Sequence, residues 1–134
     1  MSGMYLPVFT VDGVGYPSVH VKSLKRTFAV LDGPNAGRVM DGTMKRDIIG
    51  TYYNYSLEVT SDYSDLAEYD RLYEVISAPV DSHKIVVPYG QETLTFTAYV
   101  ANGDDELLHA RSTHNKWNNL TFNFVAMKPQ RSAQ

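Results

Sequence analysis

The sequence predicts a mainly β fold, a β-sandwich or rolled barrel of about seven strands with one flanking amphipathic helix. Three observations carry this. Thr51 to Val59, Thr93 to Val100 and Leu120 to Met127 each alternate their side chains with the period of two that marks a half-buried strand. Only Ser64 to Ser77 repeats apolar residues at helical spacing. Turn chemistry separates the runs, at Asp12-Gly13, Asp32-Gly33-Pro34-Asn35, Tyr89-Gly90-Gln91 and Asn102-Gly103.

In chain order, Tyr5 to Val11 is an expected first strand, confined to an edge or an end by Pro7. Tyr16 to Leu31 reads as two short strands or one bent strand, because Lys22, Lys25 and Arg26 interrupt its alternation. Asp32 to Gly50 reads as a long loop with four glycines, one proline and interleaved Met40, Met44, Ile48 and Ile49. Structureless loops of that length are uncommon in compact domains and are usually functional or disordered; the apolar residues argue against plain disorder.

The stretch from Thr51 to Val100 is the expected centre of the fold. Tyr53, Tyr55, Leu57 and Val59 share one face of a strand. A helix follows from Ser64 to Ser77, capped by Ser64, with Leu66, Tyr69, Leu72, Tyr73 and Ile76 as its buried stripe. Pro79 stops it. Lys84 to Pro88 and Thr93 to Val100 then form a hairpin, with Gly90 supplying positive φ and Leu94, Phe96, Ala98 and Val100 facing inward. Asp104-Asp105-Glu106 reads as a solvated turn. Leu120, Phe122, Phe124 and Ala126 face inward from the last strand, and Gln130 to Gln134 reads as a tail.

The 134 residues predict one domain, 1-134, with the loop at 32-50, able to bury about two thirds of its unfolded surface. There is no cysteine, hence no disulfide or thiolate chemistry. A net charge of −3 gives no electrostatic footprint for specific nucleic-acid binding. No run of 18 apolar residues and no signal-peptide layout is present, so neither a membrane partner nor export is expected. Ten tyrosines against one tryptophan suit strand faces and interfaces.

The candidate chemistry is thin. His109 and His114 are five apart, not at the spacing of a helical zinc pair, and His20, His83, His109 and His114 read as strand-end or loop residues. Asp81-Ser82-His83 holds triad residue types without triad geometry, and no nucleophile elbow accompanies it. The acidic run at 104–106 lacks the spacing of a calcium loop, and no helix follows Gly33, Gly37 and Gly42 to present its N-terminus to a phosphate. No catalytic residue, metal or cofactor is therefore expected, and the chain is not read as an enzyme. Arg38, Lys45, Arg46 and Asp47 form a mixed-charge group in the loop, suited to a solvated loop or to contacts with another subunit.

Four segments together, GRVMDGTMKRDIIGTYYNYSLEV, YEVISAPVDSHKIVVPYGQETLTFTAYV, the W-N-N-L run and NFVAMKPQR, resemble small virion proteins of tailed phages and prophages of Gram-positive bacteria. The likeness runs from about Lys25 to Arg131. The order of elements also resembles the tail-tube fold of tube, distal-tail and baseplate proteins, whose long loop between early strands reaches a neighbouring ring. The resemblance implies a structural subunit of a tail or baseplate, assembled in the bacterial host cytoplasm into a ring, hexameric in that family, and joined to other tail or baseplate proteins. It makes Asn35, Arg38, Met40, Met44, Lys45, Arg46, Asp47 and Ile48 the expected subunit interface. A neck or tail-completion protein is one alternative. A carbohydrate-binding module using exposed tyrosines and Trp117 is another.

Overall fold

The computed structural model describes residues 8–133. Its elements are β1 (Thr10–Val11), β2 (Val14–Gly15), β3 (His20–Asp32), β4 (Gly37–Arg38), β5 (Met44–Lys45), β6 (Ile48–Thr60), α1 (Leu66–Ile76), β7 (His83–Tyr89), β8 (Glu92–Tyr99), β9 (Gly103–Ala110), β10 (Asn115–Ala126) and β11 (Arg131–Ser132). The fold is mainly β with one helix, as the alternating segments require. The expected first strand is β1 within the described residues; Tyr5 to Pro7 lie outside them.

Two antiparallel layers enclose the core. One runs β3-β6-β10-β9, with β11 beside the far half of β6. The other runs β8-β7-β1-β2. β10 belongs to both: Leu120 to Phe124 pair with β6, and then Val125 and Ala126 pair with Tyr99 and Ala98 of β8. The inward residues are those the period of two selects. Tyr55, Leu57 and Val59 lie opposite Phe124, Phe122 and Leu120, all buried. Ile85, Val87, Phe96 and Ala98 close the second layer. Asp12 and Gly13, at φ 53° and 85°, make the tight β1–β2 turn, and the Asp12 carboxylate accepts from Lys84 N at 2.8 Å.

The helix starts one residue later than the sequence suggests. Asp65, not Ser64, caps it: its Oδ1 accepts from Glu68 N at 3.1 Å. Tyr69, Leu72 and Ile76 are buried as expected, but Tyr73 is 40% exposed. Glu68 is buried instead, because its Oε1 accepts from Ser18 N at 2.6 Å and so has a partner inside.

Three other readings are corrected, and of the two open for Tyr16 to Leu31 the bent strand holds. Tyr16 to Leu31 yields one strand, β3, bent at a bulge: Val21 pairs with Val59 and Ser23 with Glu58, leaving Lys22 extra. The acidic run is not a turn; it lies on β9, which pairs with β10. β10 begins at Asn115, five residues before the predicted start, and passes a bulge at Asn119, at φ 55°. The expected tail is strand β11, drawn in by backbone bonds to β6.

Candidate functional site: an overhanging hairpin and two open sheet edges

Asp32 to Gly50 is not a loop lacking order of its own. β3 and β6 pair along their whole length, from His20 opposite Thr60 to Asp32 opposite Ile48, so both ends of the segment belong to strands. Between them β4 and β5 form a small ladder, Gly37 opposite Lys45 and Arg38 opposite Met44. The segment is the tip of a long hairpin.

Its polar residues are largely spent inside the tip. Arg46 Nε donates to Asp32 Oδ1 at 2.8 Å, and that hydrogen bond is the main cause that holds the Asp32 carboxyl below its usual range. Asp47 Oδ2 accepts from Asn35 N at 3.2 Å, and Arg38 Nη1 donates to Gly42 O at 2.8 Å. Arg46, Asp47 and Arg38 side chains and the Asn35 amide thus also shape the tip from within. Lys45, Met40, Met44 and Ile48 do face solvent, Met40 fully.

The shaft of the hairpin adds exposed apolar residues. Phe28 lies opposite Tyr53, and Val30 opposite Thr51, which puts both on the core-lining face of β6. They sit beyond the sandwich, so Phe28 is 73% exposed and Val30, Leu31 and Ile49 are exposed too. Alternation alone marks Phe28 and Val30 as inward; the hairpin's overhang leaves them uncovered among the described residues.

The first layer ends in two unpaired edges. Among the described residues β3 pairs only with β6, and β9 only with β10. β3 carries Lys22, Lys25 and Arg26; β9 carries Asp104, Asp105 and Glu106. Lys22 is partly answered by Glu58 at 3.4 Å, and Arg26 lies over the Tyr89 ring at 5.3 Å. Among the described residues no cation meets the β9 carboxylates: Asp104 accepts from Thr121 Oγ1 at 2.8 Å and Asp105 from Tyr69 OH at 2.9 Å. A cleft of about 350 Å³ opens beside them, lined by Asp70, Tyr73, Glu74, Asp105 and Trp117. Burial, then Asp105 and Glu74, push the Asp70 carboxyl up.

The histidines are mostly engaged. His83 stands at the start of β7, a strand end as expected, but it is buried: its Nδ1 meets Asp12 Oδ2 at 2.7 Å, and this hydrogen bond is the main cause lowering the Asp12 carboxyl. It is thus held by Asp12, not by its sequence neighbour Asp81. His20 pairs with Asp62. His109 shares a hydrogen bond with Tyr63 OH at 2.9 Å, and the His109 and His114 rings stand 5.7 Å apart. Among the described residues no helix is long and apolar enough to cross a membrane.

No protein-family model matches the chain, and no curated protein matches it.

Proposed function

We propose that the chain is a non-catalytic structural subunit of a phage tail or baseplate that assembles with copies of itself into a ring. The observation that carries self-assembly is the pair of open edges on one sheet, β3 basic and β9 acidic. Three antiparallel pairings separate these strands, so β3 and β9 run in opposite directions. A copy related by rotation brings its β9 antiparallel to β3, continuing the ladder in the pattern the sheet already uses. Such a contact is head-to-tail and leaves the same two edges open on the dimer until a ring closes. The overhanging hairpin, apolar on its shaft and at its tip, suits a second contact. The virion station rests on the sequence resemblance.

The test is mass photometry and negative-stain imaging of the pure protein across concentrations. Rings are expected. A strict monomer at every concentration would overturn self-assembly. Replacing residues 35–45 by a short glycine bridge should leave the sandwich folded, because shortening a surface loop costs little closure entropy, and should weaken or abolish the rings.

One observation favours a second reading, a carbohydrate-binding module. Tyr73 and Trp117 flank carboxylates in the β9–α1 cleft, and such rings with nearby acceptors suit sugar faces and hydroxyls. A glycan array separates the two readings.

A further inference from the structure

We propose that neighbouring copies join through a specific register, in which Lys25 of β3 lies opposite Glu106, and Arg26 opposite Asp105, of the next copy's β9. The inference rests on the self-assembly reading above and adds the residues that align the two chains.

The faces of the two strands decide the register. Arg26 pairs with Tyr55 within the sheet and shares its core-lining face; Lys25 pairs with Ser56 on the outer face. On β9, Asp104 lies opposite Thr121, an exposed residue between buried Leu120 and Phe122, so Asp104 is on the outer face. Asp105 is then on the core side, consistent with its bond from Tyr69 of the helix, and Glu106 is on the outer face again. Residues directly opposite in an antiparallel pair share a face. A slip of one residue would turn core side against outer side, so only slips of two need comparison.

Of these, one satisfies both cations. Lys25 meets Glu106 outside, and Arg26 meets Asp105 inside, at the mouth of the acidic cleft lined by Asp70 and Glu74. The same register sets Thr27 opposite Asp104, Leu24 opposite Leu107, and Phe28 opposite Gly103. Phe28 then gains cover over a residue with no side chain. A slip of two in one direction leaves Arg26 facing Gly103; in the other it sets Phe28 against Asp105. Irregularities bound the ladder on both sides. The β3 bulge falls at Lys22, and in β9 the register with β10 jumps across Leu108. The ladder therefore runs over Leu24 to Phe28 and Gly103 to Leu107. Exposed cross-strand ion pairs are individually weak, so they choose the register, while main-chain bonds and the covered Phe28 hold it.

The chain has no cysteine, so the register can be read directly. Single-cysteine proteins, one bearing Lys25→Cys and the other Glu106→Cys, are mixed and oxidised. Lys25→Cys is also mixed with Asp104→Cys and with Leu108→Cys as shifted controls. The 25/106 mixture should give the most disulfide-linked dimer. In full chains of unaltered melting temperature, Lys25→Glu and Glu106→Lys should each raise the concentration needed for assembly by roughly tenfold, and the double variant should restore it. If the wild type assembles but linking peaks at a shifted pair, or the double variant assembles no better than the singles, this register is wrong while self-assembly stands. If the wild type stays monomeric and no pair links, both fall.

Discussion

The Gln130 side chain brackets the peptide of Tyr53: its Oε1 accepts from Tyr53 N at 2.9 Å and its Nε2 donates to Tyr53 O at 2.8 Å. This clamp replaces the ladder that β10 abandons when it turns to β8 at Val125. Gln130→Ala leaves both Tyr53 groups without their partner and should cost about 1–3 kcal/mol. Denaturant melting measures the loss, and hydrogen exchange at the Tyr53 amide should quicken. Unchanged exchange would show that the clamp is absent in solution.

Gly50 is fixed by the same segment. A Cβ there would meet the Arg131 carbonyl oxygen and the Pro129 ring, with Pro129 Cβ only 2.8 Å away. Backbone cannot move aside as a flexible side chain can. Gly50→Ala should push β11 off β6 and cost about 1–3 kcal/mol by overpacking. A variant as stable as the wild type, with β11 amides still protected, would contradict this.

The helix divides its stripe in two. Leu72 is 0% exposed, so Leu72→Ala should cost about 2–5 kcal/mol. Tyr73 faces the cleft mouth, and Tyr73→Ala should cost less than about 1 kcal/mol. Urea midpoints of the two variants give the comparison. Equal losses would mean that the helix is rotated from the position described.

Asp62 resists protonation in the folded protein, and acid should weaken the fold through it. Its Oδ1 accepts from Ser64 N at 2.9 Å, and its Oδ2 meets His20; these contacts, the Ser64 amide foremost, hold its carboxyl down to about 2. In the unfolded chain the group titrates near ~3.9. The stabilisation is complete above that value and is lost as pH falls from about 4 to about 2. Asp62→Asn should flatten this part of the melting-temperature profile. Identical slopes for variant and wild type would show that the contacts do not persist.

The core was legible because one face of each strand is wet and the other dry. Tyr55, Leu57, Val59, Phe96, Ala98, Phe122 and Phe124 follow from alternation alone. β9 did not, because Asp104, Asp105 and Glu106 at an open edge carry no alternation, and charge there reads as turn. The hairpin tip was legible in its exposed Met40, Met44, Lys45 and Ile48, but not in the pairing of Arg46 with Asp32, which closes across 14 residues. The exposure of Phe28 was not legible either: its alternation is that of a core residue, and its exposure depends on where the sandwich stops. The Gln130 clamp and the Asp12–His83 contact span 77 and 71 residues, beyond any local pattern.

The position of β10 between β6 and β9 also sets an order in time. During synthesis β3 and β6 can zip together as soon as their turn emerges, whereas β9 has nothing to lie against until β10 follows it from the ribosome. The acidic edge is therefore among the last surfaces to exist. Unfinished chains crowded on one message expose the basic edge alone, and like edges repel. On the proposed edge-to-edge assembly, this layer order would act as a timer, keeping nascent chains apart until both edges exist.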